Sequence, residues 1–291
     1  MYIFIIACLV SLITFSSCQQ EVQKPNSVYV NFPQTVKLKA RVISQDSVMF
    51  RYPFRIHIRE DKAVVMDLHA TEYFFHAFSY PDFHYLTSFG RRGDAPEEML
   101  SAENFRWNGR FLWTLDSNKS ELTRFGFASS SDSLLSLEVV SLDEELLRAL
   151  DFVQYDDSTF IIPDYSGDSR FCLVSRQGKL LRKVGNIPTT NEDALESARP
   201  ALAQAWRSFI DYNPHNGILV AATQLGEVLE IYNLKDSTHI ACIGPNGEPE
   251  FQISQGYGIP TGIMGFSDVQ VTDTAIYVVF QGRAFKDIMQ K

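Results

Sequence analysis

The chain has 291 residues, of which 45% are hydrophobic and 21% charged, and its formal net charge at pH 7 is −9. A chain of this length can bury a large core in one domain or two. The excess of acidic residues argues against nonspecific nucleic-acid binding, which depends on clustered Lys and Arg. We therefore expect no nucleic-acid partner.

The start of the chain has the layout of a bacterial lipoprotein signal. An apolar run over residues 2–15 is followed by two serines and Cys18. The run is shorter than the roughly twenty residues needed to span a bilayer and is typical of a signal-peptide core. We predict a signal peptide over residues 1–18 and a lipid on the Cys18 thiol. No Lys or Arg precedes the run, although signal peptides usually start with positive charge. A simple secreted protein and a chance match are the alternatives.

A lipid on Cys18 would determine where the protein works. Residues 19–27 then form a predicted flexible tether, and residues 28–291 form the folded domain. The predicted partner at this end is a membrane, and the predicted location is the cell envelope. We expect the outer membrane, with its periplasmic and surface faces both open.

A repeat of β-rich runs dominates the rest of the chain. Runs with strand composition begin at five positions: Val64, Leu112, Phe160, Ile218 and Ile276. A second run follows each of them, a third completes four of the five units, and a short strand candidate precedes the first runs. Four short strands per unit of about 45–55 residues are typical of a β-propeller blade. The sequence thus predicts an all-β fold, a β-propeller of four-stranded blades, with a β-sandwich as the alternative.

Two insertions interrupt the repeat. Residues 190–206 have helical composition, with Asn191 as the predicted N-cap and Pro200 as a break or restart of the helix. Residues 250–265 are rich in Gly and Pro and predict a long loop.

The fifth unit is short. Its second run is predicted over residues 284–286, and no third or fourth strand follows. Residues 28–43 could supply closing strands from the N-terminal side, which is a common way to cover a sheet edge. We expect a propeller whose last part is missing or truncated.

One loop resembles a motif of known proteins. Residues 89–99 read FGRRGDAPEEM and look like a Gly-Arg-x-Gly-x-Gly-Pro-Gly-Glu stretch. Five positions match: Gly90, Arg91, Gly93, Pro96 and Glu98. The stretch is similar to that of six-bladed β-propeller lipoproteins of Bacteroidetes, the TolB-like/NHL-like group, although Ala95 and Glu97 stand where the family has glycines. The resemblance implies a six-bladed propeller in the envelope and a structural loop, and it implies no chemistry.

No residue pattern names a reaction. The six histidines show no helix-based metal spacing. Four aspartates gather near the turns of one unit: Asp156, Asp157, Asp164 and Asp168. Turn formation explains them without a ligand, so we expect no cofactor, and a calcium site is the alternative.

Aromatic residues give the remaining candidates for a ligand face. Most Phe, Tyr and Trp are expected to wedge between blades as core, but Trp206 and Tyr257 lie in or beside the insertions. We predict a noncatalytic binding or scaffold module for a protein, peptide or glycan. The alternative is a metal-dependent envelope hydrolase or lactonase with its site at the propeller axis.

Overall fold

The computed structural model describes residues 27–29, 32, 34–43, 46–128 and 132–289. Their strands form four antiparallel sheets that each contain four consecutive strands, followed by the first two strands of a fifth. We number these sheets blade 1 to blade 5 in chain order. This arrangement confirms the predicted all-β propeller of four-stranded blades.

Each complete blade is a meander in which every strand pairs with the next one along the chain. A short strand, β1 (Ser27–Val28), precedes the blades. Blade 1 contains β2 (Pro53–Arg59), β3 (Lys62–Asp67), β4 (Tyr73–Ser79) and β5 (Tyr85–Arg91). Blade 2 contains β6 (Asn104–Asn108), β7 (Phe111–Asp116), β8 (Glu121–Phe127) and β9 (Leu134–Ser141). Blade 3 contains β10 (Val153–Gln154), β11 (Thr159–Pro163), β12 (Phe171–Ser175) and β13 (Leu180–Val184).

Two short helices precede the fourth blade in the chain, and a hairpin follows it. Before it lie α1 (Glu192–Ser197) and α2 (Arg199–Ala205). Blade 4 contains β14 (Ser208–Asn213), β15 (Ile218–Thr223), β16 (Val228–Asn233) and β17 (Thr238–Ile243). A hairpin follows, formed by β18 (Phe251–Ser254) and β19 (Tyr257–Pro260). Blade 5 is represented by β20 (Phe266–Val271) and β21 (Ile276–Phe280), after which comes α3 (Phe285–Met289). No helix in these described stretches is long and apolar enough to cross a membrane.

The helical insertion follows its prediction. The side chain of Asn191 accepts a hydrogen bond from the Ala194 amide at 3.0 Å and so caps α1. Pro200 lies in the first turn of α2, where its missing N–H costs no helical hydrogen bond. The proline therefore restarts the helix.

Three local predictions are wrong. Residues 250–265, predicted as a loop, contain the hairpin of β18 and β19. Residues 284–286 do not form a strand, because α3 begins at Phe285. Residues 28–43 do not close the last blade: β1 pairs in parallel with β17 of blade 4, and the described residues after it form no strand before β2.

The core lies between the blades. The second strands, β3, β7, β11 and β15, are largely buried. Blades 2, 3 and 4 each have a neighbouring blade on either side, whereas the face of blade 1 that carries Ile56 and Ile58 is exposed. Large aromatic side chains fill the gaps. The rings of Phe75 and Phe105 meet at 5.5 Å between blades 1 and 2, and those of Trp113 and Phe160 meet at 5.3 Å between blades 2 and 3. Both pairs are edge-to-face, a favourable aromatic geometry.

A glycine marks the junction of blades 2 and 3. Gly178 has φ +84°, and a Cβ there would overlap the carbonyl oxygen of Ser141 at the end of β9. Gly256 has φ +83° and open space around it. The two glycines thus share a backbone conformation and differ in their surroundings.

We expect Gly178→Ala to lower the free energy of unfolding by about 2 kcal/mol or more, since strain and a backbone clash act together. Gly256→Ala should cost about 1 kcal/mol from conformation alone. Denaturant unfolding of both variants measures the difference. Equal losses of unfolding free energy in the two variants would show that the Ser141 backbone moves to accommodate the new Cβ without an energetic cost.

Candidate functional site

The predicted lipid site and most of the predicted tether lie outside the described residues. This holds for Cys18 and residues 19–26, so the lipid stays a prediction. The described chain begins at β1, on the outer edge of blade 4. The Tyr29 amide donates to the Ile243 carbonyl at 3.2 Å, and the Tyr29 hydroxyl donates to Glu227 Oε1 at 2.7 Å. The segment that leads back to Cys18 therefore departs from the rim of blade 4.

The glycine-rich loop forms a tight turn after β5. Gly90 has φ +64°, and a Cβ there would lie 2.6 Å from the Phe75 ring. A Cβ at Gly93 would overlap the carboxylate of Glu98. That carboxylate accepts the Ala95 amide at 3.1 Å.

The other two residues of the motif lie on the outside of this loop. Pro96 is exposed. Arg91 is also exposed, and its Nε lies 3.5 Å from Glu98 Oε1. Lys119 of blade 2 donates to the Glu98 carbonyl at 2.8 Å. The described contacts of the motif are thus made within the loop, to the core below it and to blade 2.

The two aromatic candidates have opposite environments. Trp206 has no exposed surface and packs in a core cluster with Leu202 and Val228. The expectation that Trp206 contacts a ligand is therefore wrong for this structure, because its position next to α2 places it under the insertion. Tyr257 is 61% exposed on the hairpin, and its ligand role stays a prediction.

The first strands of the blades line the propeller axis, where β2 contacts β6, β10 contacts β14, and β14 contacts β20. A buried polar network crosses this axis, centred on Arg106 and Asp151. Arg106 Nη2 lies 3.1 Å from Asp151 Oδ1, and Arg106 Nη1 lies 3.0 Å from Asp211 Oδ1. Asp151 also accepts the Ile210 amide at 2.9 Å. Blades 2, 3 and 4 are thereby joined by one guanidinium and two carboxylates.

The same network reaches blades 1 and 5. Asn104 bridges it to blade 1, since its amide donates to Asp151 and its oxygen accepts from Arg55. Arg55 Nη2 lies 3.0 Å from Asp268 on blade 5. Asp211 accepts the Val271 amide of blade 5 at 2.7 Å. Every blade therefore contributes to one polar network.

Burial and neighbouring charges have opposite effects on the pKa values of this network. Burial opposes the charge on Arg106, but the carboxylates of Asp151 and Asp211 outweigh it and raise the pKa of Arg106. Burial raises the pKa of Asp211, and Arg106 opposes that shift. The carboxylates at the axis are thus held by guanidinium groups.

The aspartates of blade 3 form turns. Asp164 accepts the Ser166 and Ser169 amides at 3.0 and 3.2 Å. Lys183 Nζ lies 2.9 Å from Asp168 Oδ2, while Asp156 accepts the amide of its neighbour Ser158 in a separate turn. Across the residues that the structure describes, no group of three or more His, Cys, Asp or Glu side chains is placed to hold a metal ion.

A cleft of about 1050 Å³ opens between blades 3 and 4. Its apolar floor contains Ile161, Phe171, Leu173 and Leu219. Its rim is polar and is formed by side chains of β13, β16 and β17, namely Arg182, Lys183, Asn233, Thr238 and His239. An apolar floor with a few polar groups at the rim is typical of a binding cleft.

A buried ion pair holds the inner end of this cleft. Arg170 of blade 3 and Glu230 of blade 4 are both fully buried, and Arg170 Nε lies 2.9 Å from Glu230 Oε2. Arg170 Nη2 also donates to Ser208 Oγ at 2.6 Å. The Tyr232 hydroxyl donates to Glu230 Oε2 at 2.6 Å, and burial, aided by the Glu230 charge, raises the pKa of Tyr232 well above its ordinary value. Tyr232 therefore remains a neutral donor and a fixed wall of the cleft.

The sequence reasoning missed the axis network. The sequence pattern that could have indicated it is an Asn or Asp directly before a buried Phe, repeated about one blade apart. Asn104 and Asp151 are 47 positions apart, and each accepts the amide of the following Phe at 2.7 Å. The cleft residues carry no such pattern. They come together only because blades 3 and 4 are neighbours.

Comparison with known proteins gives a family and a fold. The family model described as TolB-like 6-blade propeller-like matches residues 31–291. No curated protein matches the chain.

Two solved structures are similar to the chain, and the first of them shares its fold. A protein of Bacteroides fragilis NCTC 9343, provisionally named an exported protein, is 12% identical with a TM-score of 0.52, over 82% of this chain and 68% of that one. A protein of Bacteroides uniformis ATCC 8492, provisionally named a 6-phosphogluconolactonase, is 13% identical with a TM-score of 0.43, over 79% and 63%. The chain spans less than two thirds of the length of the second protein. Identities this low show the fold alone.

His57 on β2 gives a test of the axis. Its Nε2 is shielded from solvent and has no hydrogen-bond partner among the described residues. Burial, together with the charges of Arg106 and Arg55, lowers the pKa of His57 well below its ordinary value. As pH falls through about 6.5, the His57 imidazole is therefore protonated in the unfolded state before it is protonated in the folded state. The folded state loses stability as a result.

Between pH 7.5 and pH 5.5 we expect the free energy of unfolding of the wild type to fall by about 1 kcal/mol more than that of His57→Gln. The reason is that only the wild type has an imidazole at this position that can be protonated on unfolding. Denaturant unfolding of both proteins at the two pH values measures the difference. Parallel pH profiles would contradict the shielded position of His57 beside the two arginines.

Proposed function

The chain belongs to the TolB-like 6-blade propeller family, and from this fold we propose that it is a noncatalytic binding module whose ligand occupies the cleft between blades 3 and 4. The observation that carries the proposal is the cleft itself, an open space of about 1050 Å³ with an apolar floor and a polar rim. The buried pair of Arg170 and Glu230 supports it, because this pair fixes the two blades on either side of the opening.

The contacts inside the cleft favour a peptide segment of a protein over a glycan. Glycans stack on free aromatic faces, but the Tyr232 ring is already stacked on His239 at 5.3 Å and meets the Phe171 ring edge-on at 5.3 Å. The remaining floor is largely aliphatic and suits apolar side chains. Arg182, exposed on the rim, can pair with an acidic group of such a peptide.

The axis supports binding rather than hydrolysis. Asp151 and Asp211 are paired with Arg106, and Asp268 lies beside Arg55. A metal-dependent hydrolase needs carboxylates that converge on an ion, whereas these converge on guanidinium groups. We therefore assign them to joining the blades.

The proposed location is the cell envelope, with a lipid on Cys18 as the anchor. The layout of residues 1–18 supports this. The provisional name of the Bacteroides fragilis protein, an exported protein, is in keeping with it. A tethered binding module would hold its partner close to the membrane.

Site-specific photocrosslinking in the native envelope tests the cleft. We expect a photoreactive phenylalanine at Thr238, on the cleft rim, to give a discrete crosslinked protein species. The same residue at Glu60, in the exposed turn between β2 and β3, is the matched control and should give none. Leu173→Glu, which places a charge in the apolar floor, should reduce the Thr238 crosslink at least about tenfold. Equal crosslinking at both positions, or no effect of the floor variant, would contradict the proposal.

A further inference from the structure

The hairpin of β18 and β19 presents an uncharged apolar surface. Ile253 is 56% exposed, Tyr257 61% and Ile259 45%. Residues 251–261 contain no Asp, Glu, Lys or Arg, in a chain that is 21% charged. Isolated exposed apolar residues are common on proteins, but three on one uncharged projection need an explanation.

The hairpin is held firmly from below. Gly258 of β19 lies so close to α2 that a Cβ there would be 2.5 Å from the Ala201 carbonyl oxygen. Phe251, at the base of β18, packs against the core cluster that also contains Leu202 and Ala203 of α2. Tyr257 and Ile259 lie on one face of the hairpin, and Ile253, which pairs with Gly258, lies on the other. The exposed side chains therefore project from both faces of a fixed hairpin.

The N-terminal segment departs beside this hairpin. Val28 of β1 is paired with Ile243 of β17, and Ile243 packs against the same core cluster as Phe251. Ile243 and Phe251 also line one groove. The base of the hairpin and the exit of the tether thus lie at the same corner of blade 4.

The tether is short. Nine peptide steps separate Cys18 from Ser27, and a fully extended chain spans at most about 3.3–3.6 Å per residue. The lipid on Cys18 would therefore hold this corner within about 30 Å of the bilayer. At that distance the nearest apolar projection can reach the headgroup layer.

We propose that Ile253, Tyr257 and Ile259 insert into the interfacial layer of the bilayer that carries the Cys18 lipid. The inference rests on the proposed lipid anchor. Tyr suits this layer because its ring is apolar and its hydroxyl can contact water, and aliphatic side chains can enter the apolar side of the layer. One lipid attachment leaves a protein free to rotate, while a second contact fixes its orientation and strengthens binding. Because the hairpin has no cationic residue, it binds a neutral phosphatidylcholine surface as well as an anionic one.

Another exposed apolar strand serves as a control. Leu135, Leu137 and Val139 of β9 are 53%, 49% and 43% exposed. They alternate with Glu138, which pairs with Arg176 at 2.7 Å. Glu138 therefore lies on the opposite face of β9, and the exposed face of this strand is itself apolar. It belongs to blade 2, whereas β1 lies on blade 4.

Fluorescence quenching by brominated phosphatidylcholine tests the contact. The full-length lipidated protein, reconstituted in these vesicles, is compared as Tyr257→Trp and as Leu137→Trp, each corrected for the three native tryptophans. We expect the quenching at position 257 to exceed that at position 137 at least about threefold, because the bromine atoms lie in the acyl layer. Ile259→Trp should behave like Tyr257→Trp, which keeps the test valid if one variant folds poorly.

Mass spectrometry of the Cys18 peptide separates the possible failures. A lipid on Cys18 with equal quenching at positions 257 and 137 overturns the hairpin proposal and leaves the anchor standing. A Cys18 without lipid overturns the anchor, and the hairpin proposal falls with it. A dimer in vesicle-free solution that Tyr257→Asp abolishes would assign the hairpin to a second copy of the chain and overturn the bilayer contact.

Discussion

The ion pair of Arg106 and Asp151 is the contact on which the arrangement of the blades depends. Asp151 is 1% exposed and Arg106 7%, so neither charge can be satisfied by water if the other is removed. Asp151 also accepts the Ile210 amide, and Arg106 reaches Asp211. Loss of one partner in such a buried pair is costly, because it strands a charge in the interior. The blades are therefore joined at the axis by electrostatics as well as by packing.

A second buried ion pair joins two blades beside the cleft. Arg170 and Glu230 join blades 3 and 4 where the apolar core between them ends. Side chains of the outer strands β13 and β17 line the cleft between these blades. A fixed inner end and an open outer end produce a preformed site, which lowers the ordering cost of binding a flexible peptide. The same blade carries β1 on its outer edge, so the tether, the hairpin and the cleft all belong to the region around blade 4.

Much of the fold could be predicted from the sequence, because each strand carries a local signal. The runs at Val64, Leu112 and Phe160 lie in β3, β7 and β11, since strands buried on both faces are continuously apolar. Asn191 and Pro200 marked the helix ends through local chemistry. Residues 250–265 are predicted as a loop because four Gly and one Pro stand among their sixteen residues. The cross-strand pairs that make the hairpin are not visible in a local pattern.

The candidate site could not be predicted in the same way. Arg170 and Glu230, the ion pair beside the cleft, are 60 positions apart, and only the stacking of blades 3 and 4 brings them together. The assignment of Trp206 to a ligand face failed because an insertion was taken as exposed, while α2 buries that side chain in the core. Tertiary contacts between repeats lie beyond what composition and spacing encode.

Denaturant unfolding of Asp151→Asn measures how far the axis ion pair holds the blades together. We predict that this variant loses about 3–5 kcal/mol of unfolding free energy at neutral pH, because Arg106 is left buried without its main counter-charge. Asp157→Asn, at an exposed turn of the same blade, should unfold like the wild type. A loss below about 1 kcal/mol for Asp151→Asn would show that packing alone holds the blades together and would contradict the account.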